Sequence, residues 1–273
     1  MKRDGKLRLL LEEVITMIKK VVLPIAGLGT RFLPLSKELP KEFWPLADIP
    51  VIQYIVEEAV NSGAEEIIFD ISPEKKMIVD YFGDSPKVDD VLKERNKTNL
   101  IETLDEFRQK FNGVKFSYVT QRTPLGDGHA ILQAEKEVNE EACGVLFGDD
   151  VAYSKKPCLA QLEDVYKTCQ KPVIAIRRVP AEMIPSYGIL EVEKIANRFY
   201  KIKKIVEKPT LEEAPSDFAI VGKYIITPTV FDYLKKGGKP TKGKEMILAD
   251  AFERMISDGK AVYGYEFEGD WLE

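Results

Sequence analysis

A short apolar run turns into a glycine loop in the stretch Val21-Val22-Leu23-Pro24-Ile25-Ala26-Gly27-Leu28-Gly29-Thr30-Arg31-Phe32-Leu33-Pro34, and Pro40-Lys41-Glu42 follows nine residues after Arg31. Glycines can adopt positive φ and let peptide N–H groups approach an anion closely. The Arg31 guanidinium is a planar fork for two phosphate oxygens, and the Lys41 ammonium is a compact charge. The stretch therefore predicts a strand that ends in a loop able to hold a polyphosphate.

The spacing around this turn excludes two other phosphate-binding loops. A dinucleotide-binding loop needs Gly-x-Gly-x-x-Gly opening directly into a helix, whereas Phe32-Leu33-Pro34 follows here. Pro34 disfavours a continuous helix at that point. A Walker A loop needs Gly-Lys followed by Ser or Thr, which this turn lacks. A plain surface turn is the alternative that the glycines alone leave open.

Outward from this stretch, apolar runs alternate with helical patterns. In the first half, strands are predicted at 20–26, 66–71, 114–120 and 144–147, and helices at 50–62, 74–82 and 129–138. Residues 88–110 are predicted to form one long helix or a pair of helices. After residue 155, strands are predicted at 172–178, 188–192, 196–207 and 218–226, and helices at 229–235 and 248–258. This order predicts an α/β fold with a doubly wound, mostly parallel mixed sheet and a β-rich second half.

Two carboxylates follow the predicted strand 144–147, in Gly148-Asp149-Asp150. Mg²⁺ prefers one or two carboxylates together with phosphate oxygens and water, so a carboxylate pair at a strand end suits it. Ligands of open α/β sheets bind beyond the carboxyl ends of the strands. We therefore expect Asp149 and the glycine turn to face one cleft. An Asp-rich turn without a metal is the simpler alternative.

The composition excludes several classes of protein. The 273 residues are 44% hydrophobic with a net charge of −5, which permits a proper core and disfavours a dedicated nucleic-acid-binding protein. No apolar run approaches the roughly 20 residues needed to span a bilayer. The cysteines Cys143, Cys158 and Cys169 show no metal-ligand spacing, which favours buried thiols in a reducing cytoplasm. His129 is the one histidine, so a histidine-rich metal site is excluded.

Several motifs together resemble the signature of the sugar-nucleotide pyrophosphorylases, a nucleotidyltransferase family. Besides the glycine turn and Pro40-Lys41-Glu42, the similar stretches are Gln121 with Gly126-Asp127-Gly128-His129-Ala130, Gly148-Asp149-Asp150, Ser186-Tyr187-Gly188-Ile189-Leu190, Val206-Glu207-Lys208-Pro209 and Ile220-Val221-Gly222-Lys223-Tyr224. The resemblance spans roughly residues 17–273. It implies a Rossmann-like nucleotidyltransferase fold and uridylyl transfer from UTP to glucose 1-phosphate.

The resemblance also assigns roles to residues of this sequence. The implied catalytic residues are Arg31, Lys41 and Asp149. The implied nucleotide-binding residues are Ala26, Gly27, Gly29, Thr30, Gln121 and Gly126. The implied sugar-phosphate-binding residues are Gly188, Glu207, Lys208 and Val221, and the implied Mg²⁺ ligands are Asp149 and Glu273. His129 is expected to fasten its own loop.

The chain departs from the family pattern at several points. Asp127 replaces a usual leucine, Ile247 replaces a usual glutamine, and Glu273 stands where an aspartate is usual. A terminal helix that commonly takes part in subunit contacts does not follow, which places the expected homo-oligomer in doubt and suggests a fragment. We expect an N-terminal extension at 1–16 and one domain at 17–273, with a nucleotide-binding half (17–155) and a sugar-binding half (156–273).

Three alternatives remain open at this point. A sister enzyme would use dTTP or ATP in place of UTP. A truncated relative would bind a UDP-sugar without turning it over. A dinucleotide-dependent oxidoreductase is the third, although the glycine spacing is wrong for it. The expected partners are the small-molecule substrates UTP and glucose 1-phosphate, without nucleic acid or membrane, and the expected location is the cytoplasm.

Overall fold

The computed structural model describes residues 18–238 and 245–272. The expected extension 1–16 and the expected metal ligand Glu273 lie outside the described residues. The strands are β1 (Lys20–Pro24), β2 (Pro45–Leu46), β3 (Ile49–Pro50), β4 (Glu66–Ile71), β5 (Lys115–Thr120), β6 (Cys143–Leu146), β7 (Val151–Tyr153), β8 (Val173–Arg178), β9 (Gly188–Ala196), β10 (Phe199–Glu207), β11 (Phe218–Ile226), β12 (Tyr263–Glu266) and β13 (Asp270–Leu272). The helices are α1 (Val51–Asn61), α2 (Lys76–Tyr81), α3 (Pro86–Glu94), α4 (Thr98–Lys110), α5 (Asp127–Gln133), α6 (Glu135–Val138), α7 (Cys158–Cys169), α8 (Pro228–Lys236) and α9 (Leu248–Ser257).

Within the described residues, nine strands form one mixed sheet in the order β5-β4-β1-β6-β11-β8-β12-β10-β9. The first four are parallel, and Val21 of β1 pairs with Ile67 on one side and Gly144 on the other. Val21, Val22 and Leu23 are fully buried, as expected of a central parallel strand covered on both faces. The loops after these four strands therefore leave from the same edge of the sheet.

Strand β11 joins the parallel strands to the rest of the sheet. Its second half pairs antiparallel with β6, and its other edge pairs with β8. The strands β12, β10 and β9 follow, and β9 returns to β11 through the pairing of Ile189 with Ala219. Strand β9 thus occupies the edge of β11 beyond the point where β6 ends. The start of β9 consequently lies just past the carboxyl end of β6.

Helices cover both faces of the sheet. Val21 and Leu23 share one core cluster with residues of α1 and α7, such as Ile52 and Leu159. Val22 points to the opposite face and shares a second cluster with residues of α5, α8 and α9. This alternation follows from the pleat of the strand, in which successive side chains point to opposite faces.

The α/β class and the mixed sheet agree with the sequence-based prediction. The predicted elements of the first half are found within a few residues of their expected bounds, and β11 has the bounds predicted for it. The prediction overlooked β2, β3, α7, β7, β12 and β13. In the described part of the large sheet, five strand pairings are antiparallel and four are parallel. The sheet is less parallel than expected because short connections such as the β9–β10 hairpin enforce antiparallel neighbours. No helix in the described ranges has the length and apolar character needed to cross a membrane.

Candidate active site

The glycine turn leaves β1 at the carboxyl edge of the parallel strands. Ala26 is buried, whereas Gly27 is exposed. Gly29 has φ 62° and ψ 41°, a left-handed conformation that glycine adopts without strain. A Cβ on Gly29 would lie 3.8 Å from the Cβ of Lys41, so the turn is in contact with the second motif. Gly27 lies outside the left-handed region, and a Cβ there would meet nothing within 4 Å. Open space therefore lies in front of the turn.

Thr30 and Arg31 are the first two residues of a 3-10 turn (Thr30–Phe32) that directly follows Gly29. Both are exposed. Within the part of the chain that the structure describes, the Arg31 guanidinium has no hydrogen-bond or ion-pair partner. A guanidinium that has no protein partner and lies next to an open glycine turn is suited to bidentate binding of an oxyanion.

Lys41 and Asp149 form an ion pair between Nζ and Oδ2, although they are 108 residues apart in the chain. Lys41 begins the 3-10 turn Lys41–Phe43, and Asp149 follows β6 after a short loop. The Lys41 side chain is 23% exposed and that of Asp149 is 53% exposed. The predicted phosphate-binding cation and the predicted metal ligand therefore meet at a place that solutes can reach.

A second ion pair, between Lys75 and Glu42, is buried next to this one, and the sequence analysis missed it. The Lys75 ammonium donates to both carboxylate oxygens of Glu42 (3.0 and 2.9 Å) and to the carbonyl oxygen of Ile25 (2.7 Å). Burial lowers the pKa of Lys75, while the Glu42 carboxylate opposes that shift. Glu42 belongs to the predicted Pro-Lys-Glu motif. Lys75 carries no sequence signal, because its partners are 33 and 50 residues away.

The base-reading segment expected from the resemblance folds around Gln121, which is buried after β5. The Gln121 amide nitrogen Nε2 donates to the carbonyl oxygen of Gly126 (3.2 Å) and contacts His129 Nδ1 (2.8 Å). An amide nitrogen can only donate, so Nδ1 accepts this hydrogen bond in the neutral imidazole. The other ring nitrogen, Nε2, lies 3.2 Å from the amide nitrogen of Gln133. Burial lowers the pKa of His129, which favours this neutral form. His129 fastens the loop, as expected.

Gly126 is the point at which this segment meets the chain before α9. It has φ 102°, and a Cβ there would collide with the backbone of Met246. The Leu125 carbonyl accepts from the Met246 amide at 2.8 Å, and the Met246 carbonyl accepts from the Gly128 amide at 2.9 Å. Glycine is required at position 126 by both its conformation and its close packing.

Asp127, the departure from the family pattern, lies at the junction of two helices. Its Oδ1 accepts from the backbone N–H of Gly128 (2.5 Å) in α5 and of Leu248 (2.9 Å) at the start of α9. Burial raises the pKa of Asp127 to about 6, against the lowering effect of these two hydrogen bonds, and Glu207 and Glu245 raise it further. The sequence analysis noted Asp127 only as a mismatch and missed this capping role.

The predicted sugar-phosphate residues lie where β9 begins and β10 ends. Gly188 and Glu207 are paired across these two strands, and a Cβ on Gly188 would lie 3.1 Å from Glu207 Oε2. Lys208 has φ 46°, and its amide donates to the Tyr187 carbonyl at 3.0 Å. The Glu207 and Lys208 side chains are 3.9 Å apart and about half exposed. A hydroxyl acceptor and a cation thus stand side by side past the end of β6.

The second carboxylate of the Gly-Asp-Asp motif connects these two groups of residues. Asp150 Oδ1 accepts from the indole Nε1 of Trp271 at 2.9 Å, and the Trp271 ring packs 4.9 Å from that of Tyr187. The Asp150 carboxylate also lies against Gly222, where a Cβ would collide with it. The neighbouring Val221 side chain is fully buried in the core, so residue 221 can offer only its backbone to a ligand.

The two aspartates differ in what they can bind. Asp150 accepts a hydrogen bond from Trp271, whereas the Asp149 carboxylate is half exposed and next to Lys41, the predicted phosphate-binding cation. Across residues 18–238 and 245–272, no group of three or more His, Cys, Asp or Glu side chains could hold a metal ion by itself. Mg²⁺ can bind a single carboxylate and complete its coordination shell with phosphate oxygens and water. Asp149 fits that kind of coordination.

A cavity of about 620 Å³ lies elsewhere, lined by residues of α7 and of the strand ends around it, among them Lys156, Val165, Phe199 and Tyr265. None of the predicted site residues lines it. The predicted residues instead surround the carboxyl ends of β5, β1 and β6 and the start of β9. The predicted site and this cavity are therefore separate places on the molecule.

Comparisons with known proteins agree with this arrangement. The family model of the nucleotidyl transferases matches residues 19–273. A UTP–glucose-1-phosphate uridylyltransferase of Staphylococcus haemolyticus is 43% identical over 253 residues, which are 93% of this chain and 86% of the relative. A UDP-glucose pyrophosphorylase crystallised with UDP-glucose is 37% identical, with a TM-score of 0.82 over 93% of this chain and 92% of that one. A UTP-bound UGPase from Acinetobacter baumannii is 35% identical, with a TM-score of 0.84 over 93% and 88% of the two chains. The resemblance predicted from the motifs is confirmed, and the chain belongs to the nucleotidyl transferase family.

Proposed function

We propose that this protein transfers a uridylyl group reversibly from UTP to glucose 1-phosphate, with UDP-glucose and pyrophosphate as products. The observation that carries the proposal is the ion pair of Lys41 and Asp149 next to the glycine turn, which supports a polyphosphate site with a cation and a carboxylate. The relatives support the choice of substrates, because those similar over most of their length carry this activity or these ligands in their names.

The reaction is a direct displacement at phosphorus. An anionic phosphate oxygen of glucose 1-phosphate forms a bond to the α-phosphorus of UTP, and the bond from that phosphorus to the bridging oxygen breaks. Pyrophosphate leaves with the electron pair of the broken bond. The attacking group is already an anion, so no general base is needed. The protein contributes mainly alignment and charge stabilisation.

Three groups act on the triphosphate. The backbone N–H groups of the Gly27–Gly29 turn cradle its oxygens. Arg31 binds the departing pyrophosphate through its guanidinium fork. Lys41 stabilises the charge that builds between the α-phosphate and the leaving group. Mg²⁺ held by Asp149 supplies further neutralisation of the phosphate charge when it is bound.

The base of the nucleotide and the sugar phosphate lie on opposite sides of the triphosphate. Gln121 and the Gly126 backbone face the base, at the end of β5. The Glu207 carboxylate accepts hydrogen bonds from glucose hydroxyls, and Lys208 pairs with the phosphate of the sugar, beside the backbone of Gly188 and Val221. The expected cytoplasmic location and subunit assembly stay predictions.

The function is tested by incubating the purified chain with Mg²⁺, glucose 1-phosphate and one nucleoside triphosphate at a time. We expect pyrophosphate release with UTP to exceed that with dTTP or ATP. Faster release with dTTP or ATP would identify a sister enzyme. Binding of UDP-glucose in a calorimeter without any pyrophosphate release would identify a non-catalytic binding protein.

Lys41→Ala is the variant that tests the site itself. We expect kcat to fall by about 10²–10³-fold, because removing one group that stabilises developing charge costs that much. The melting temperature should change little, because Lys41 is partly exposed and its ion pair with Asp149 is accessible to solvent. A kcat close to that of the wild type would remove Lys41 from the reaction.

A further inference from the structure

The Lys75 ammonium is buried next to the proposed site, and its position there requires a functional explanation. Lys75 ends the 3-10 turn Pro73–Lys75 that follows β4, and its side chain is 9% exposed. An ammonium has three hydrogens, and here three acceptors surround it: the two Glu42 oxygens and the carbonyl oxygen of Ile25. No hydrogen is left for a substrate, so Lys75 can influence the reaction only through these partners.

Each partner of Lys75 is adjacent in sequence to a group of the proposed site. Ile25 precedes Ala26 and the glycine turn, and Glu42 follows Lys41. Gly148, which precedes Asp149, packs against both partners: a Cβ on Gly148 would lie 2.5 Å from Ile25 Cγ2 and 3.1 Å from Glu42 Cγ. One ammonium therefore joins the backbone before the glycine turn to the residue that follows Lys41, and the residue that precedes Asp149 packs against both of these partners.

Stability alone does not explain a charged pair at this position. Removing two charges from water is expensive, and a buried ion pair is often no more stabilising than apolar residues of the same size. The side chains of Glu42 and Lys75 are 1% and 9% exposed, so they bear most of this cost. The pair instead provides a fixed geometry. A bidentate ion pair with a third hydrogen bond fixes the relative position of two backbone segments.

We propose that Lys75 is a positioning residue of the nucleotidyl transfer, which sets the glycine turn and Lys41 at the distance that the triphosphate requires. This inference rests on the proposed function and deepens it. A displacement of about 1 Å in a group that aligns the reacting atoms can cost about 10²-fold in rate. Lys75 should therefore affect kcat more than the KM of the sugar phosphate, whose residues lie on β9 and β10.

The test compares the full chain with Lys75→Met, the double variant Lys75→Met/Glu42→Leu, and Lys76→Met. We expect Lys75→Met to lower both the urea unfolding midpoint and kcat, since it leaves the Glu42 carboxylate buried without its partner. The double variant should recover most of the midpoint while its kcat stays at least about 10-fold below that of the wild type, with the KM for glucose 1-phosphate within about threefold. Lys76 is the matched control, because it is the next residue and its ion pair with Asp80 is exposed.

Glu42→Gln covers the case in which the double variant does not fold. It keeps the size of the side chain and one acceptor for Lys75, and we expect kcat to fall about threefold or more in a folded protein. Wild-type kcat in the folded double variant, or in folded Glu42→Gln, would show that the pair is only structural. If the wild type itself releases no pyrophosphate, the proposed function fails. If the wild type is active and these variants are equally active, only the role of Lys75 fails.

Discussion

Asp70 is a single residue that lowers the free energy of unfolding at neutral pH. It is fully buried on β4, and within the described residues neither carboxylate oxygen has a hydrogen-bond partner. Burial raises its pKa from 3.8 to about 8. Between these pH values the folded chain keeps a proton that the unfolded chain has released, so the free energy of unfolding falls as the pH rises. At about 1.4 kcal/mol for each pKa unit, the cost reaches about 4 kcal/mol at pH 7.

We predict that Asp70→Val stabilises the protein by about 4 kcal/mol at pH 7, because valine suits a buried strand and does not titrate. The gain should shrink towards pH 5, because the free-energy cost of keeping the proton on the folded chain falls with every pH unit towards the unfolded pKa of 3.8. Urea unfolding at pH 5, 7 and 8 measures both effects.

Asp70→Asn is the matched control. It has nearly the same shape and still buries an unpaired polar group, yet it cannot ionise. Its advantage over the wild type should therefore rise by about 3.5 kcal/mol from pH 5 to pH 8, with no contribution from removal of the unpaired group. An advantage that does not change with pH would show that Asp70 does not titrate in this range.

Residues of the site differ in how far the sequence reveals them. Gly29, Lys41 and Asp149 lie in short motifs, and the structure brings Gly29 against Lys41 and Lys41 against Asp149. Lys75 is a single lysine without a motif, and only the tertiary fold brings it to Glu42. Positions set by spacing along the chain are predictable, whereas positions set by contacts between distant segments are not.

At the scale of elements, the start of α9 depends on a side chain from another part of the chain. The residue before α9 is Ile247, which cannot cap a helix, and the Leu248 amide is instead bound by the Asp127 carboxylate, 121 residues away. A carboxylate at this position satisfies a free N–H and interacts favourably with the helix dipole. Its raised pKa shows that burial and the neighbouring acids outweigh these gains.

We predict that Asp127→Asn stabilises the protein by about 1–2 kcal/mol at pH 7. This value is smaller than the free energy that corresponds to the full pKa shift, because the residue is only partly buried. Asparagine keeps an oxygen to accept from Gly128 and Leu248 and removes the charge near Glu207 and Glu245. Since the folded pKa of Asp127 is raised from 3.8 to about 6, the difference should develop between these pH values and stay constant above them. Thermal unfolding across that range provides the measurement, and a less stable Asp127→Asn at pH 7 would contradict it.

Helix α7 shows why one element was overlooked. It begins after Pro157 without a side-chain cap and ends at Gln170 in a left-handed conformation, where glycine or asparagine is the usual signal. Strands β7, β12 and β13 have three or four residues each, too few for a period of two to be seen. Elements with ordinary start and stop signals, such as β11, were found.

At the scale of the whole molecule, the two predicted halves share one sheet and one core. Strand β11 from the second half pairs with β6 from the first, and one core cluster contains Val21 together with Ile225 and Phe267. Domain boundaries are places where few contacts cross, which is not the case at residue 155. We propose that the described residues unfold as one cooperative unit, within which the two halves are functional regions.

This proposal predicts that two tryptophans report the same transition. Trp44 lies in the nucleotide-binding half and packs on Phe32, whereas Trp271 lies in the other half and packs on Tyr187. Urea unfolding followed by fluorescence of Trp271→Phe and of Trp44→Phe should give coincident curves after correction for each variant's stability by circular dichroism. Two separate midpoints within one variant would instead indicate independently folding halves.

The predicted class of fold was right, because alternating strands and helices determine it locally. The direction of the strands in the second half was harder to predict. It depends on β11 entering the sheet next to β6 and on β9 returning to β11, and both contacts join segments that are far apart in sequence.

The hydrogen bonds of Gln121 have a consequence for the choice of pyrimidine. Both amide hydrogens are already used within the protein, on Gly126 and His129, so only the side-chain oxygen can meet an incoming ring. That oxygen attracts a ring nitrogen that carries hydrogen, as in uracil or thymine, and repels the lone pair of the corresponding nitrogen in cytosine. Under the proposed function we therefore expect discrimination against CTP to depend on His129, whose imidazole fixes the orientation of the Gln121 amide.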